Sequence, residues 1–242
     1  PILVIYPLSD RAFALKILAD KYWKYLIKET EPIIFDIGAN DGLSLEEFKT
    51  WWRNSTVHCF EPQEECLDIL IKRSKSYKKS SVIINRTAVG EKAEENVDFY
   101  SHDINTGLSG FNKVNTDSVD SVYLNELKIA DSSTKLNQYM NKLNHERLVD
   151  VIRLDDYMDN FEIDRINLLK IDTQGYEPEV LSGLGERLED VDVIVTELMF
   201  YDYYNRRLSF TDIENYLIPA GFQLYDISHI AKNPMNGRTD WV

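Results

Sequence analysis

The chain has little cysteine. Cys59 and Cys66 are its only two in 242 residues, which excludes a disulfide framework. No C-x-x-C pair and no cysteine–histidine spacing offers a metal site. Positive charge is also scarce. The 27 Lys and Arg stand against 41 Asp and Glu, a net charge of −14. A non-specific nucleic-acid binder needs cationic surface to replace counterions, so that class is excluded. No apolar run approaches the ~20 residues of a membrane-spanning helix. The G-x-G-x-x-G of dinucleotide enzymes is missing, and no internal repeat is present. Two reduced cysteines suit a reducing compartment, and a cytoplasmic location is expected. The first residue is Pro1, not Met, so the chain is read as an excerpt that leaves a signal or a fused domain open.

What is present is an alternation of apolar runs and helical periods. At 242 residues and 43% hydrophobic content, a single α/β domain over 1–242 is expected. Strands are predicted at Ile33–Ile37, Thr56–Phe60, Ser81–Asn85, Ile166–Asp172 and Asp192–Glu197. Helices fall between them at Leu43–Trp52, Gln63–Ser74 and Pro178–Leu188. Ile2–Tyr6 is a short apolar run. Leu15, Leu18, Tyr22 and Tyr25 share one face of a helical period in an N-terminal segment, 1–31. Such alternation implies a parallel sheet with helices on both faces and a ligand at the carboxyl ends of the strands. Phe222–Ile227 and Thr239–Val242 read as a closing hairpin. Lys72, Arg73, Lys75, Lys78 and Lys79 read as a solvated helix end, where cations suit the dipole. Between Asp103 and Arg147 the rhythm breaks in a polar stretch, 103–147, read as an insertion and substrate-side lid. Some helical signal remains near Val122–Leu127 and Leu136–Leu143.

The chemistry concentrates in two places. IIFDIGANDG (Ile33 to Gly42) is strand, tight turn, helix start, and HCFEP follows with an acid at Glu61. Glycines such as Gly38 and Gly42 let backbone N–H groups approach a ligand, so a Cβ at Gly38 would intrude on it. An acid ending the next strand can accept from the two hydroxyls of a nucleotide-type ribose. The glycines alone would fit any βαβ turn; adding Glu61 favours an adenosine-bearing cofactor. The combination looks like the first motif of S-adenosylmethionine-dependent methyltransferases.

The segment INLLKIDTQGYEPEVLSGL (Ile166 to Leu184) resembles the signature of FkbM-type methyltransferases, in Lys170, Ile171, Asp172, Gly175, Glu177, Val180, Leu181 and Gly183. RTAVG (Arg86 to Gly90), RLDDYM (Arg153 to Met158) and VIVTE (Val193 to Glu197) resemble further family segments, in order, over about Pro32 to Glu197. One position departs: Gln174 stands where the pattern has an acid. The resemblance implies a Rossmann-like class I methyltransferase fold, with a seven-stranded, mostly parallel sheet, an antiparallel C-terminal strand and helices on both faces. It also implies methyl transfer from S-adenosyl-L-methionine to a hydroxyl of a small molecule or carbohydrate. Asp36, Gly38, Asn40, Gly42, Glu61, Thr87, Ala88 and Asp172 are the implied cofactor side.

A hydroxyl acceptor must lose a proton, which calls for a positioned base. Asp172 is the first candidate; the alternative is a cap of the Thr173–Gly175 turn. Glu197 ends an apolar strand, where a buried acid needs a job or a partner; Arg206 or Arg207 could supply the partner. His102, at the edge of the insertion, is the third candidate. His58, inside a strand, reads as a satisfied core histidine. Phe200 to Arg207 reads as helix packing, or as an aromatic wall for a sugar or sulfonium. Three rivals remain: an oxidoreductase on a related fold, a binding module that lost its chemistry with Gln174, and a transfer assisted by a divalent ion shared by Asp172 and Glu197.

Overall fold

A computed structural model describes residues 2–5, 22–103, 105–118, 137–138, 140–200, 202–227, 230–232 and 239–241. In chain order the elements begin with β1 (Ile2–Ile5), β2 (Ile33–Ile37), α1 (Leu43–Trp51), β3 (Thr56–Phe60), α2 (Glu64–Ser74) and β4 (Val82–Asn85). A small group follows: β5 (Ala88–Val89), β6 (Glu94–Ser101) and β7 (His145–Ile152). Then come α3 (Leu154–Asn160), β8 (Ile166–Ile171), α4 (Glu177–Ser182), β9 (Val191–Thr196), α5 (Phe210–Leu217) and β10 (Gln223–Ile227). The short pair β11 (Ala231–Lys232) and β12 (Thr239–Trp241) closes the described chain.

The main sheet has seven strands in the order β10-β1-β9-β8-β2-β3-β4. The strand count and the parallel α/β character agree with the sequence reading. The edge differs. The expected antiparallel strand is not in this sheet among the described residues. β1 fills the place beside β9 and pairs in parallel with both β9 and β10. Thr239–Trp241 does pair antiparallel, but with Ala231–Lys232 in a separate ribbon. The expected hairpin partner, Phe222–Ile227, instead supplies β10 at the sheet edge.

Alternation along the strands builds two cores. In β2, Ile34 packs with Leu45, Phe48, Val57 and Leu67 on the α1–α2 face. Phe35 and Ile37 point the other way, toward Leu154, Val180 and Leu181. Every residue of β8 is buried, as a central parallel strand requires. Gly42, at φ 85°, precedes α1, and a Cβ there would stand 2.6 Å from Leu70 Cδ1. That glycine serves α1–α2 packing. The basic stretch ends α2 as expected, and its Arg73 reaches Asp41 at 2.9 Å and Glu46 at 2.7 Å.

The sequence reading missed the three-stranded sheet β5-β7-β6. β6 and β7 pair antiparallel across the whole insertion, and their outer residues are exposed and mostly polar, Leu148 excepted, so no long apolar run announces them. The insertion therefore leaves from Ser101 and returns at His145. Its described part is anchored by apolar contacts. Leu108, Val114 and Leu143 pack on Tyr203 and Tyr204. Residues 200 and 202–207 form turns and an isolated bridge, not the expected helix. The helical signal at Val122–Leu127 and most of the one at 9–28 lie outside the described residues; Tyr22–Leu26 forms a 3-10 turn.

Candidate functional site

The chain runs from β2 outward through β3 to β4, and later from β8 outward to β9. The direction of winding switches between β2 and β8, which pair with Ile37 opposite Ile171. A cleft of about 550 Å³ opens there, at the carboxyl ends of β2, β3 and β8. Crevices at such switch points are where open α/β sheets bind ligands. Its lining includes Gly38, Asn40, Glu61, Gln63, Ala88, Asp172 and Gln174. Phe60, Phe99 and Phe111 supply its apolar walls.

The floor is a tightly bonded turn. The N–H groups of Gly38 and Ala39 donate to the Phe60 carbonyl at 3.0 and 3.1 Å. The Asn40 N–H donates to Glu61 Oε2 at 2.8 Å. Glu61 Oε1 accepts from the Gln63 backbone N–H at 2.9 Å and its side-chain amide at 3.1 Å. Burial pushes the Glu61 carboxyl up to about 7, against the pull of these donors. A carboxylate offers about four lone-pair positions, so three donors leave one open beside the cleft.

Gly38 has φ 75°, and a Cβ on it would lie 2.0 Å from the Asp172 carbonyl oxygen. The close approach is of backbone on backbone within the protein, not backbone on ligand as expected. Gly38→Ala should therefore lower stability and disturb the cleft together. The left-handed backbone alone costs ~1–2 kcal/mol in a residue with a Cβ, and the clash adds to it. Denaturant titration checks this; wild-type stability in the variant would show that the turn can lift off β8 freely.

Behind the floor lies a charge cluster. Lys170 is buried and stands 3.1 Å from Asp36 Oδ1 and 3.5 Å from Asp172 Oδ2. It also donates to the Gly38 carbonyl at 2.8 Å. Burial would lower the Lys170 pKa, but the two acids outweigh it and raise it. Asp36 accepts from the Ser44 hydroxyl as well and is fully buried. Asp36 is thus a partner of Lys170 beneath the cleft, and the expectation that it touches a cofactor is corrected. Thr87 and Gly42 are likewise not among the lining residues, whereas Ala88 is.

Asp172 faces the cleft with a side chain 20% exposed. Its Oδ1 accepts from the Gln174 amide at 2.8 Å. It does not cap its turn. Glu177 does that, accepting from the N–H groups of Thr173 and Gly175 and from the Thr173 hydroxyl. Burial pushes Glu177 up to about 7.

The other two base candidates lose ground on geometry. Glu197 is buried outside the lining; burial, then the charges of Asp172 and Glu177, hold its carboxyl well above the usual range. Its partner is the Gln174 amide at 2.8 Å, while Arg206 and Arg207 pair with Glu179 and Asp202. His102 is buried too, and burial lowers it to about 4, with His145 adding to the effect. Its Nδ1 accepts from the Asn144 N–H at 3.0 Å, so Nε2 carries the hydrogen and is no base. His58 is a core histidine, with Nδ1 2.8 Å from the Tyr157 hydroxyl. The ion shared by Asp172 and Glu197 meets an obstacle, since the Gln174 amide occupies the space between them. Among the described residues no group of three or more His, Cys, Asp or Glu has metal-binding geometry.

Sequence reasoning missed Gln63. Its amide nitrogen bonds Glu61 and, at 3.3 Å, the Thr106 carbonyl. Its Oε1 is buried with no partner among the described residues. Its place two residues after Glu61 was a signal, but it read only as the start of a helix. The stretch around Thr106 and Asn112 roofs the same cleft, with Thr106 Oγ1 3.1 Å from Asn40 Oδ1 and Asn112 Nδ2 3.0 Å from the Gly175 carbonyl.

A parallel, doubly wound sheet with a cleft at its switch point defines the Rossmann-like α/β class, here with acids at two of the strand ends that line the cleft. Within it, the chain belongs to the FkbM methyltransferase family: residues 36–224 match the Methyltransferase FkbM domain. It is similar to "Methyltransferase 1" of Beauveria bassiana (strain ARSEF 2860), 28% identical over 187 residues, 76% of this chain and 71% of that protein. It is also similar to "2-O-methyltransferase NoeI" of Sinorhizobium fredii (strain NBRC 101917 / NGR234), 25% identical over 191 residues, 76% and 70% of the two chains. A crystal structure of Methyltransferase FkbM from Methylobacillus flagellatus KT matches 82% of this chain at a TM-score of 0.48 and 16% identity. The present chain covers 40% of that protein. A methyltransferase of this family requires a methyl donor, and no helix among the described residues is long and apolar enough to cross a membrane.

Proposed function

We propose that the protein is an S-adenosyl-L-methionine-dependent O-methyltransferase acting on a hydroxyl of a small molecule or carbohydrate. The observation that carries this reading is the pair of acids, Glu61 and Asp172, at two strand ends on either side of the Gly38 turn in one cleft. The residues present fit the cofactor. Glu61 keeps an open acceptor position for a ribose hydroxyl, and the partnerless Gln63 Oε1 beside it can accept from another donor of the nucleoside. Phe60, Ala88 and Val89 offer apolar surface for a base. Two acids in the lining suit a ligand that carries positive charge.

The cofactor supplies a methyl group on a positively charged sulfur, already activated for displacement. The chain must then align acceptor and donor, which is catalysis by proximity. Asp172 takes the acceptor's hydroxyl proton on its cleft-facing carboxylate, which Gln174 steadies at Oδ1 and Lys170, 3.5 Å away, at Oδ2. The roof formed by residues 105–118 keeps water from the cleft, the lid role of the insertion. The oxygen acceptor is favoured by the 2-O-methyltransferase among the similar proteins. The cytoplasm, in this reading, suits the buried, unpaired thiols of Cys59 and Cys66.

Calorimetric titration with S-adenosylmethionine, its demethylated product and NAD tests the cofactor. Binding of the first two, and none of NAD, is expected. A panel of sugars and small alcohols with radiolabelled methyl donor tests the acceptor. Binding of NAD alone would overturn the reading in favour of an oxidoreductase. Binding without transfer to any hydroxyl would favour a module that binds but does not react.

A further inference from the structure

Four acids crowd at and behind the cleft, and three of them have clear local partners. Lys170 serves Asp36 and Asp172, and Glu177 serves the 173–175 turn. Among the described residues no Lys or Arg forms an ion pair with Glu197. The side chain of Gln174 stands between Glu197 and Asp172 instead. Its amide nitrogen lies 2.8 Å from Asp172 Oδ1 and 2.8 Å from Glu197 Oε2. An amide NH₂ has two hydrogens, so each acid receives one. On the other side, Gln174 Oε1 lies 2.8 Å from the Tyr204 hydroxyl, whose single hydrogen also faces the Leu108 carbonyl at 2.8 Å. The reverse orientation would turn the amide oxygen toward Asp172 Oδ1 and remove its donor, so Asp172 sets the direction of the amide. Gln174 is 7% exposed and holds a left-handed backbone, φ 57°.

We propose that Gln174 is a positioning residue for methyl transfer: its amide holds Asp172 in one orientation at the cleft and keeps Glu197 from sharing a proton with it. This rests on the O-methyltransferase reading above. Two carboxyl groups in direct contact share one proton and titrate as a pair. A neutral double donor between them removes that shared proton. Asp172 then stays an open acceptor, while burial holds the Glu197 carboxyl well above the usual carboxylate range. The titratable groups that bear on Asp172 are Lys170 and Asp36 from the sheet, Glu177 from α4 and Glu197 after β9. The neutral Gln174 is what separates the last of these from it. The role of the position changes with its residue: an acid, as in the family pattern, would couple the carboxyls that the amide here keeps apart.

Two variants test this. Gln174→Met keeps the length and removes the hydrogen bonds to both acids and to Tyr204. Gln174→Glu keeps the shape and adds a third carboxyl. Turnover at saturating cofactor is measured against pH, with cofactor affinity by calorimetry. The Asp172 carboxyl is followed by carbon-13 NMR in protein without acceptor. Gln174→Met should lose tenfold or more in turnover, with cofactor affinity within twofold. Gln174→Glu should move the acid limb of the pH–rate profile, and the Asp172 titration, upward by roughly one pH unit. If Gln174→Met does not fold, the isosteric Gln174→Glu decides alone. Wild-type turnover and an unmoved acid limb would overturn the proposal and leave Gln174 a packing residue. A moved Asp172 titration, without methylation of any hydroxyl by the unaltered protein, would support the pairing and overturn the function it is said to serve.

Discussion

Asp172→Asn lowers turnover at saturating cofactor by on the order of 100-fold or more, the usual scale of a lost general base. Among the acids near the cleft, Asp172 alone combines a cleft-facing side chain with a position at the switch point. Glu61 lies at the β3 end, and Glu197 and Asp36 are buried outside the lining. The carboxamide keeps the shape and one acceptor, so a role confined to packing would survive it. It would also remove one of the two acids beside Lys170, but Asp36 remains at 3.1 Å. The fold should therefore hold, and a thermal melt alongside the kinetics separates the two effects. An Asn variant that turns over like the wild type would dismiss Asp172 as the base. No other described acid then both faces the cleft and sits at its β8 end.

Glu61→Ala weakens cofactor binding by about 10- to 150-fold and leaves saturated turnover within a few-fold. A hydrogen bond to a charged acceptor is worth ~1.5–3 kcal/mol, and each 1.4 kcal/mol is a factor of ten in affinity. The ribose is remote from the reacting methyl, so its contacts are equal before and during transfer and set affinity, not rate. The structure adds a cost that the sequence did not suggest. Glu61 holds the Asn40 N–H and two donors of Gln63, and Ala would leave all three without it. Glu61→Gln keeps one acceptor and should fall between wild type and Ala in both affinity and stability. The same residue makes binding pH-dependent. The Glu61 carboxyl titrates at about 7 in the free protein, and only its ionised form has every oxygen position open to donors. Protons compete with the ribose, so affinity should weaken as pH falls below 7 and level off above it. Glu61→Gln should flatten that dependence. Normal affinity in Glu61→Ala, or a wild-type protein whose affinity is level from pH 6 to 8, would free the ribose from Glu61.

Local physics made much of this protein readable. β2 and β3 follow from five-residue apolar runs, and their structural bounds coincide with those runs. The turn after β2 was legible because Gly38 and Gly42 need positive φ, a property of the residue itself. The family pattern around Lys170–Asp172 and the acid at Glu61 were legible for the same reason, as short spacings along one chain. What only the tertiary structure decided depends on partners far apart in sequence. A run such as Ile2–Ile5 does not state that it will lie between β9 and β10, because strand order is set by packing of the whole sheet. β6 and β7 are mostly polar on their exposed positions, so they became strands only by pairing across residues 102–144. Asp36 reads as a ligand-facing acid in the chain. It turns inward because Lys170, on the neighbouring strand, is buried and needs a counter-charge. Gln174 looks like a lost acid in the motif. Its meaning comes from Asp172, Glu197 and Tyr204 converging on one amide, a geometry set by the ends of β8 and β9 and the turn that follows them.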